Sequence, residues 1–276
     1  MSRPSTALLL WGQVRHQNRL FWRTPIAAFF TIVFPLMFLV VFNLLFPDDG
    51  VTGMSTAQFY APALAVFGAV SATYTNLAIG TSIARDEGVL KRVRGTPLPP
   101  WIYIAGRIGS ASYVAVLSAG LMLAIGVVAY DLEVYAVAVP AAVVTFLAGI
   151  ACWAALGMLL AAVAPSGDSA PALANATLLP LAFISDVFIP PSDAAPAWIG
   201  TVAGVFPLKP FAAAFGDAFD PAEVAAHGAW TGQFQWGAIA LMTVWCVVAV
   251  VLALRRFRWE PRPGGRSRRR RRSVAA

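Results

Sequence analysis

A succession of apolar runs constrains this sequence more than any other feature. Each is close to, or longer than, the ~20 residues a helix needs to cross hydrocarbon. Six spans follow: Ile26–Phe46, Phe59–Ala84, Ile108–Tyr130, Tyr135–Val163, Pro171–Ile189 and Gln235–Leu254. A spanning sheet would have to close into a barrel of alternating apolar and polar residues. These runs do not alternate. Mean hydropathy is +0.71, and 12% of residues are charged, against about a quarter in soluble domains. The expected fold class is an all-α polytopic membrane protein. Pro35, Pro62 and Pro180 lie inside spans, where neighbouring helices can satisfy the carbonyls they free. The first run ends in Phe46-Pro47-Asp48-Asp49-Gly50, which is no small-residue cleavage site, so no cleavable signal peptide is expected. Cys152 and Cys246 sit inside apolar runs without CxxC spacing and read as small core residues.

Loop charge sets the orientation. One side collects 19 of the 20 Lys and Arg: Arg3, Arg15, Arg19 and Arg23, then Arg85, Lys91, Arg92, Arg94 and Arg107, then the tail from Arg255. The other side holds only Lys209, with Asp48, Asp49, Asp131, Glu133, Asp193, Asp217, Asp220 and Glu223. Both termini are therefore expected in the cytoplasm, and the protein in the cell inner (plasma) membrane. Trp11, Trp22, Trp101, Tyr103 and Trp259 fall at the inner boundary. Tyr60, Tyr130, Tyr135, Trp230 and Trp236 fall at the outer one. Half-polar rings favour both.

Three segments do not span. Residues 1–25 read as an amphipathic helix lying along the inner surface, capped by Ser5 or Thr6. Its apolar face is Ala7, Leu10, Trp11, Val14, Phe21 and Trp22, with Gln13, Gln17 and Arg19 away from it and His16 solvated. Within residues 190–220, two apolar pieces of near ten residues, Ala197–Phe206 and Pro210–Phe219, read as re-entrant or outer half-helices. The tail, residues 255–276, is an Arg-rich anchor that anionic lipid would attract at ~1 kcal/mol per basic residue.

Several kinds of chemistry are missing. A P-loop requires glycine directly before its lysine, but Lys91 follows Leu90 and Lys209 follows Leu208. No GxSxG or HExxH occurs, and His16 and His227 fall on opposite faces. Intramembrane charge is sparse, with Asp186 the main candidate. Asn43, Asn76 and Asn175 are read as interhelical hydrogen-bonding residues. No catalytic residue, metal site or bound cofactor is expected, and no nucleic-acid partner. A chain of six spans without an engine suggests a membrane subunit driven by a partner.

The stretch Ala84–Pro100, ARDEGVLKRVRGTPLPP, carries the handle for such a partner. Val89, Leu90 and Val93 give a small apolar face, while Gly95 and Pro97 end the turn. Pro99 and Pro100 stiffen the return to the membrane. A short helix rigidly joined to two spans can transmit force that a floppy loop would absorb.

With its continuation to Ile108, this stretch resembles the ABC-2-type permeases, the membrane subunits of bacterial ABC exporters, and especially the daunorubicin-resistance-like drug and lipid exporters. The matching pattern is acid-Gly-hydrophobic-basic-basic followed by proline. The amphipathic start, the six spans, Pro196-Ala197-Trp198 and Phe206-Pro207-Leu208 extend the likeness over nearly the whole chain. The resemblance implies a coupling loop at residues 85–107, with Glu87, Gly88, Lys91, Arg92, Arg94 and Pro97 toward a separate ATPase subunit that binds ATP and Mg. It also implies a permease homodimer exporting a hydrophobic or amphipathic compound, with Phe30, Phe34, Phe38, Phe67, Tyr74, Asn76, Phe183, Asp186 and Phe188 as candidate pathway or gate residues. Many relatives have Ser-Gly where this chain has Ser185-Asp186, which bears on the outer gate or the cargo. The same architecture also serves polysaccharide or glycolipid export. An autonomous carrier or a membrane enzyme are the alternatives of other classes.

Overall fold

The computed structural model describes residues 5–46, 53–191 and 196–257. Every regular element among them is helical. Their order is α1 (Thr6–Trp22), α2 (Pro25–Leu45), α3 (Thr56–Asp86), α4 (Val89–Arg94), α5 (Pro100–Tyr130), α6 (Val139–Val163), α7 (Ala170–Ile184), α8 (Ala197–Val205), α9 (Leu208–Gly216), α10 (Pro221–His227) and α11 (Trp236–Arg256). Helices α2, α3, α5, α6 and α11 are each long and apolar enough to cross a membrane. Helices α8 and α9, the latter prolonged by a 3₁₀ turn to Phe219, form a pair bent by 95°. The chain is an all-helical, multi-pass membrane protein. Arg3, Asp48, Asp49, Asp193, Trp259 and the tail from Arg258 onward lie outside the described residues.

Several boundaries differ from those expected. The fifth expected span, Pro171–Ile189, stops being helical at Ile184. Asp186 takes a left-handed conformation (φ 59°), which cannot continue a helix. The third helix starts at Pro100 rather than Ile108, because proline at a first helical position loses no hydrogen bond and has the right φ. Residues 100–107 of the expected coupling loop are thus helical. The fourth helix starts at Val139, not Tyr135.

Helix α3 is the centre of the bundle. In its most apolar window 78% of residues are buried, against 17% in α2 and 11% in α11. Those two helices present most of their surface outward. Both α2 and α3 contain a π-turn, Phe29–Val33 and Ser71–Thr75. In α2 the cause is readable. Pro35 has no N–H to give the carbonyl of Thr31, four residues earlier. Ser118 Oγ on α5 donates to that carbonyl instead, at 3.0 Å. Gly68 of α3 makes the three-helix contact possible, since a Cβ there would stand 2.5 Å from Ser118 Oγ and 3.2 Å from the Thr31 oxygen. Asn76 Nδ2 donates to Thr31 Oγ1 across helices at 3.0 Å, as expected. Among the described residues Asn43 bonds within its own helix: its Nδ2 donates to the Leu39 carbonyl of α2, at 2.8 Å. Asn175 is exposed.

Helix α1 is capped by Ser5, whose Oγ accepts from Leu8 N–H at 3.4 Å. It lies against the start of α5, where glycines permit close approach. A Cβ at Gly106 would stand 2.5 Å from Gln13 Cβ, and one at Gly109 would stand 3.0 Å from Val14 Cγ2. Gln13 packs on α5 and Gln17 is buried, while Trp11 and Trp22 are exposed. Gln13 and Gln17 thus lie away from Trp11 and Trp22, as expected, while Val14 of the expected apolar face also packs on α5. Apolar side chains of a membrane protein gain nothing by turning inward when lipid is available, so close packing and polar contacts select the face.

Candidate functional site

Helix α3 does not end freely. Its last turn carries Arg85, 2% exposed. The guanidinium donates from Nη1 to the Ala161 carbonyl at 2.7 Å and from Nη2 to the Ala164 carbonyl at 2.9 Å. These belong to the C-terminal turn of α6, whose last carbonyls have no helical donor and carry the negative end of the helix dipole. Arg85 Nε also meets Asp86 Oδ1 at 3.3 Å. Asp86 Oδ2 in turn accepts the Gly167 N–H, at 2.6 Å, in the turn before α7. One charged dipeptide thus fastens α3 to the end of α6 and the approach to α7.

Helix α4 follows at once. Gly88 turns the chain with φ 72°, a value that a side chain disfavours. Leu90, fully buried, anchors the short helix to the bundle, and Val89 and Val93 are half-buried. Glu87, Lys91, Arg92, Arg94 and Pro97 are all exposed. The expected apolar and charged faces therefore separate as the sequence suggests. Gly95 follows the last helical residue, and its N–H bonds the Arg92 carbonyl at 3.0 Å. The result is a rigid, charged projection attached to α3 and α5.

The candidate pathway residues divide into four places. Phe34, Phe38, Phe67, Phe183 and Phe188 come together as one aromatic cluster. Ring centroids lie 4.8 Å apart for Phe34–Phe38, 6.4 Å for Phe34–Phe67, 5.3 Å for Phe38–Phe188, 4.9 Å for Phe67–Phe188 and 5.3 Å for Phe183–Phe188. Phe30 extends it at 5.6 Å from Phe34. These rings join α2, α3, the end of α7 and the segment beyond it. Tyr74 stands apart: its hydroxyl meets Thr177 Oγ1 at 2.7 Å and its ring meets Trp153 edge-on. Asn76 lines a separate cavity of about 400 Å³ between α1, α3 and α5.

Asp186 lies at the opposite end of the bundle from α4. Its Oδ2 is 2.8 Å from Lys209 Nζ on α9. It also lines a cavity of about 200 Å³ with Ser185, Gln58, Asp217 and Asp220. Gln58 closes this end, accepting the Glu133 N–H and donating to the carbonyls of Glu133 and Phe219. Nearby, the Glu133 carboxylate beside Tyr135 pushes that phenol up to about 12, so it stays protonated at neutral pH.

The ABC-2 type transporter family matches residues 9–219. The chain belongs to the ABC-2 type transporter family. A comparison with curated proteins gives no match. The match takes in most of α1, all of α4, the aromatic cluster and the bent pair α8–α9 of this ABC-2 permease.

Asp186 has a conformational explanation that the residue alone did not reveal. Its left-handed backbone suits glycine, and aspartate is among the few side chains that tolerate it. In this permease an acid can therefore stand there and reach Lys209. Asp186→Asn should change stability by less than about 1 kcal/mol, the usual worth of a partly exposed ion pair. Asp186→Val should cost about 1–2 kcal/mol more, because a β-branched residue resists that backbone. Thermal melts of the three proteins in detergent test the order. Equal melting of the valine and asparagine variants would contradict it.

Sequence reasoning missed two residues here. From sequence Arg85 reads only as an orientation charge, and Asp86 carries no reading of its own. Arg85 had one available signal, a cation placed before the charged loop proper, immediately after an apolar run.

Proposed function

We propose that this permease is the export subunit of an ATP-driven transporter for a hydrophobic or amphipathic compound, worked by a separate ATPase. The observation that carries the reading is the mounting of α4. The helix is anchored by Leu90 and follows directly on the Arg85–Asp86 fastening. Displacement of α4 would move α3, the end of α6 and the approach to α7 together. Family membership implies the ATPase partner. ATP and Mg would be held by that subunit. On this reading α4 is the coupling helix, and two copies of the chain form the permease with α2, α3 and α7 near the seam. Both termini face the cytoplasm, and the membrane is the cell inner membrane, as the Lys and Arg distribution supports.

The aromatic cluster supports an apolar cargo. Phe67 and Phe188 are buried, Phe34 and Phe38 are half-buried and Phe183 is exposed. Ligand sites of that make-up hold their occupants with few hydrogen bonds. Motion of α3 would change the spacing of Phe67 from Phe34 and Phe188, opening or closing the cluster. The re-entrant pair α8–α9, tied to the end of α7 by Lys209 and Asp186, would cover the outer exit.

Glu87 tests the coupling. It is exposed and caps the end of α3, two residues before α4, where a carboxylate suits a charge-assisted contact with the ATPase. Glu87→Gln should insert normally and melt like wild type. In proteoliposomes with the partner ATPase, it should lower permease-stimulated hydrolysis about tenfold, the loss expected for one such bond. Unchanged stimulation would reject a coupling role for Glu87.

A further inference from the structure

Apart from Glu87, the residues lining the cavity of about 400 Å³ between α1, α3 and α5 are not used by the coupling reading. Its polar lining includes Gln17, Asn76, Arg107 and Ser110. Arg107 Nη1 donates to the Tyr103 hydroxyl at 3.1 Å, and the guanidinium lies 5.8 Å from that ring's centroid. Its Nε is buried with no hydrogen-bond partner. No Asp or Glu pairs with it among the described residues. Glu87 also lines the cavity, but it is exposed and bridges to no cation there. Gly80 makes room for the guanidinium: a Cβ at that position would stand 2.4 Å from Arg107 Nη2. A cation held in a membrane protein without its counter-charge is costly. This one is free to take an anion.

Thr24 apart, the remaining lining is apolar and includes Leu20 and Phe21 of α1, Leu77 and Ile83 of α3 and Val114 of α5. The exposed Trp11 and Trp22 put α1 at headgroup depth, where indole rings settle. We propose that this cavity binds the phosphate-bearing headgroup of a membrane phospholipid. Arg107 contacts the phosphate, Gln17 and Ser110 contact the glycerol or headgroup hydroxyls, and the first acyl carbons run past Leu20 and Val114. Guanidinium and phosphate match as a planar fork of donors and a set of acceptor oxygens. The site does not depend on ATPase coupling, and its failure would leave that reading untouched.

Titration of the purified full chain in detergent tests the site, with thermal unfolding and native mass spectrometry as readouts. The probes are phosphatidylglycerol, a neutral diacylglycerol glycolipid and inorganic phosphate. Phosphatidylglycerol should raise the melting midpoint and stay bound in the mass spectrum, whereas the neutral glycolipid and inorganic phosphate should do neither. Arg107→Gln should weaken the phosphatidylglycerol effect about tenfold, the loss of one charge-assisted bond. Gly80→Leu keeps the charge and fills the cavity with a good helix former, so it should weaken the effect as much. It carries the test if Arg107→Gln fails to fold. Wild-type lipid affinity in the folded variants overturns the site. An equal shift with inorganic phosphate overturns the lipid as its source.

Discussion

Gly157→Ala is expected to destabilise the protein by about 3 kcal/mol, the upper part of the range for overpacking. Gly157 lies in α6 against the π-turn of α3. A Cβ there would stand 2.7 Å from the Thr73 carbonyl oxygen, 2.8 Å from that of Tyr74 and 3.0 Å from Tyr74 Cα. All three are backbone atoms, so no side chain can swing away to relieve the clash. The two central helices must separate or the π-turn must reform. Separation would disturb the Tyr74–Trp153 ring contact and the Tyr74–Thr177 hydrogen bond. Gly120→Ala is the matched control. Gly120 is also helical and has nothing within 4 Å of its Cβ position. Alanine there should be neutral or stabilising by about 0.5–1 kcal/mol. Unfolding of both variants in mixed micelles gives the comparison. Equal stability of the two would mean that α3 and α6 do not meet at this point.

The same contact shows what hydropathy can and cannot reveal. Long apolar runs mark α2, α3, α5, α6 and α11, because crossing hydrocarbon requires length and low polarity whatever the neighbours. They do not say which side of a helix faces lipid and which faces protein, since the two environments are about equally apolar. Helix α1 is an example: the sequence separates Gln13 and Gln17 from Trp11 and Trp22 but does not show that the glutamines are the ones that turn to α5. The π-turns were equally hidden. Pro35 predicts an unpaired carbonyl, but only the position of Ser118 shows how it is satisfied. The aromatic cluster was partly legible. Phe34 and Phe38 are one turn apart on a single helix, so their contact follows from spacing. Their meeting with Phe188 depends on α7 ending early at a left-handed Asp186. In the charged stretch, glycine, proline and the Val-Leu-Val pattern gave α4 its place and faces. Arg85 and Asp86 were obscured because the sign and position of a charge reveal orientation without revealing a partner.

Arg85→Gln should cost about 3 kcal/mol, because two buried carbonyls lose a charged donor and Asp86 loses its neighbouring cation. The geometry makes arginine hard to replace. Its two Nη groups reach Ala161 and Ala164 separately, while Nε faces Asp86. Lysine retains the charge but not the fork, so Arg85→Lys should recover only about half of the loss. Asp86→Asn should be milder, about 1 kcal/mol, since its side chain is 28% exposed and an amide oxygen can still accept the Gly167 N–H. Chemical unfolding of the three variants gives the ranking, and equal behaviour of glutamine and lysine would remove the argument from forked geometry. The functional consequence separates fastening from mere stability. At a temperature where Arg85→Lys is fully folded, α3 would be less firmly joined to α6 and α7. Permease-stimulated ATP hydrolysis should then persist while transport per ATP falls, because α4 would move without carrying the bundle with it. Glu87→Gln should instead reduce the hydrolysis itself. A parallel loss of both quantities in Arg85→Lys would show that Arg85 sustains the ATPase contact rather than the transmission beyond it.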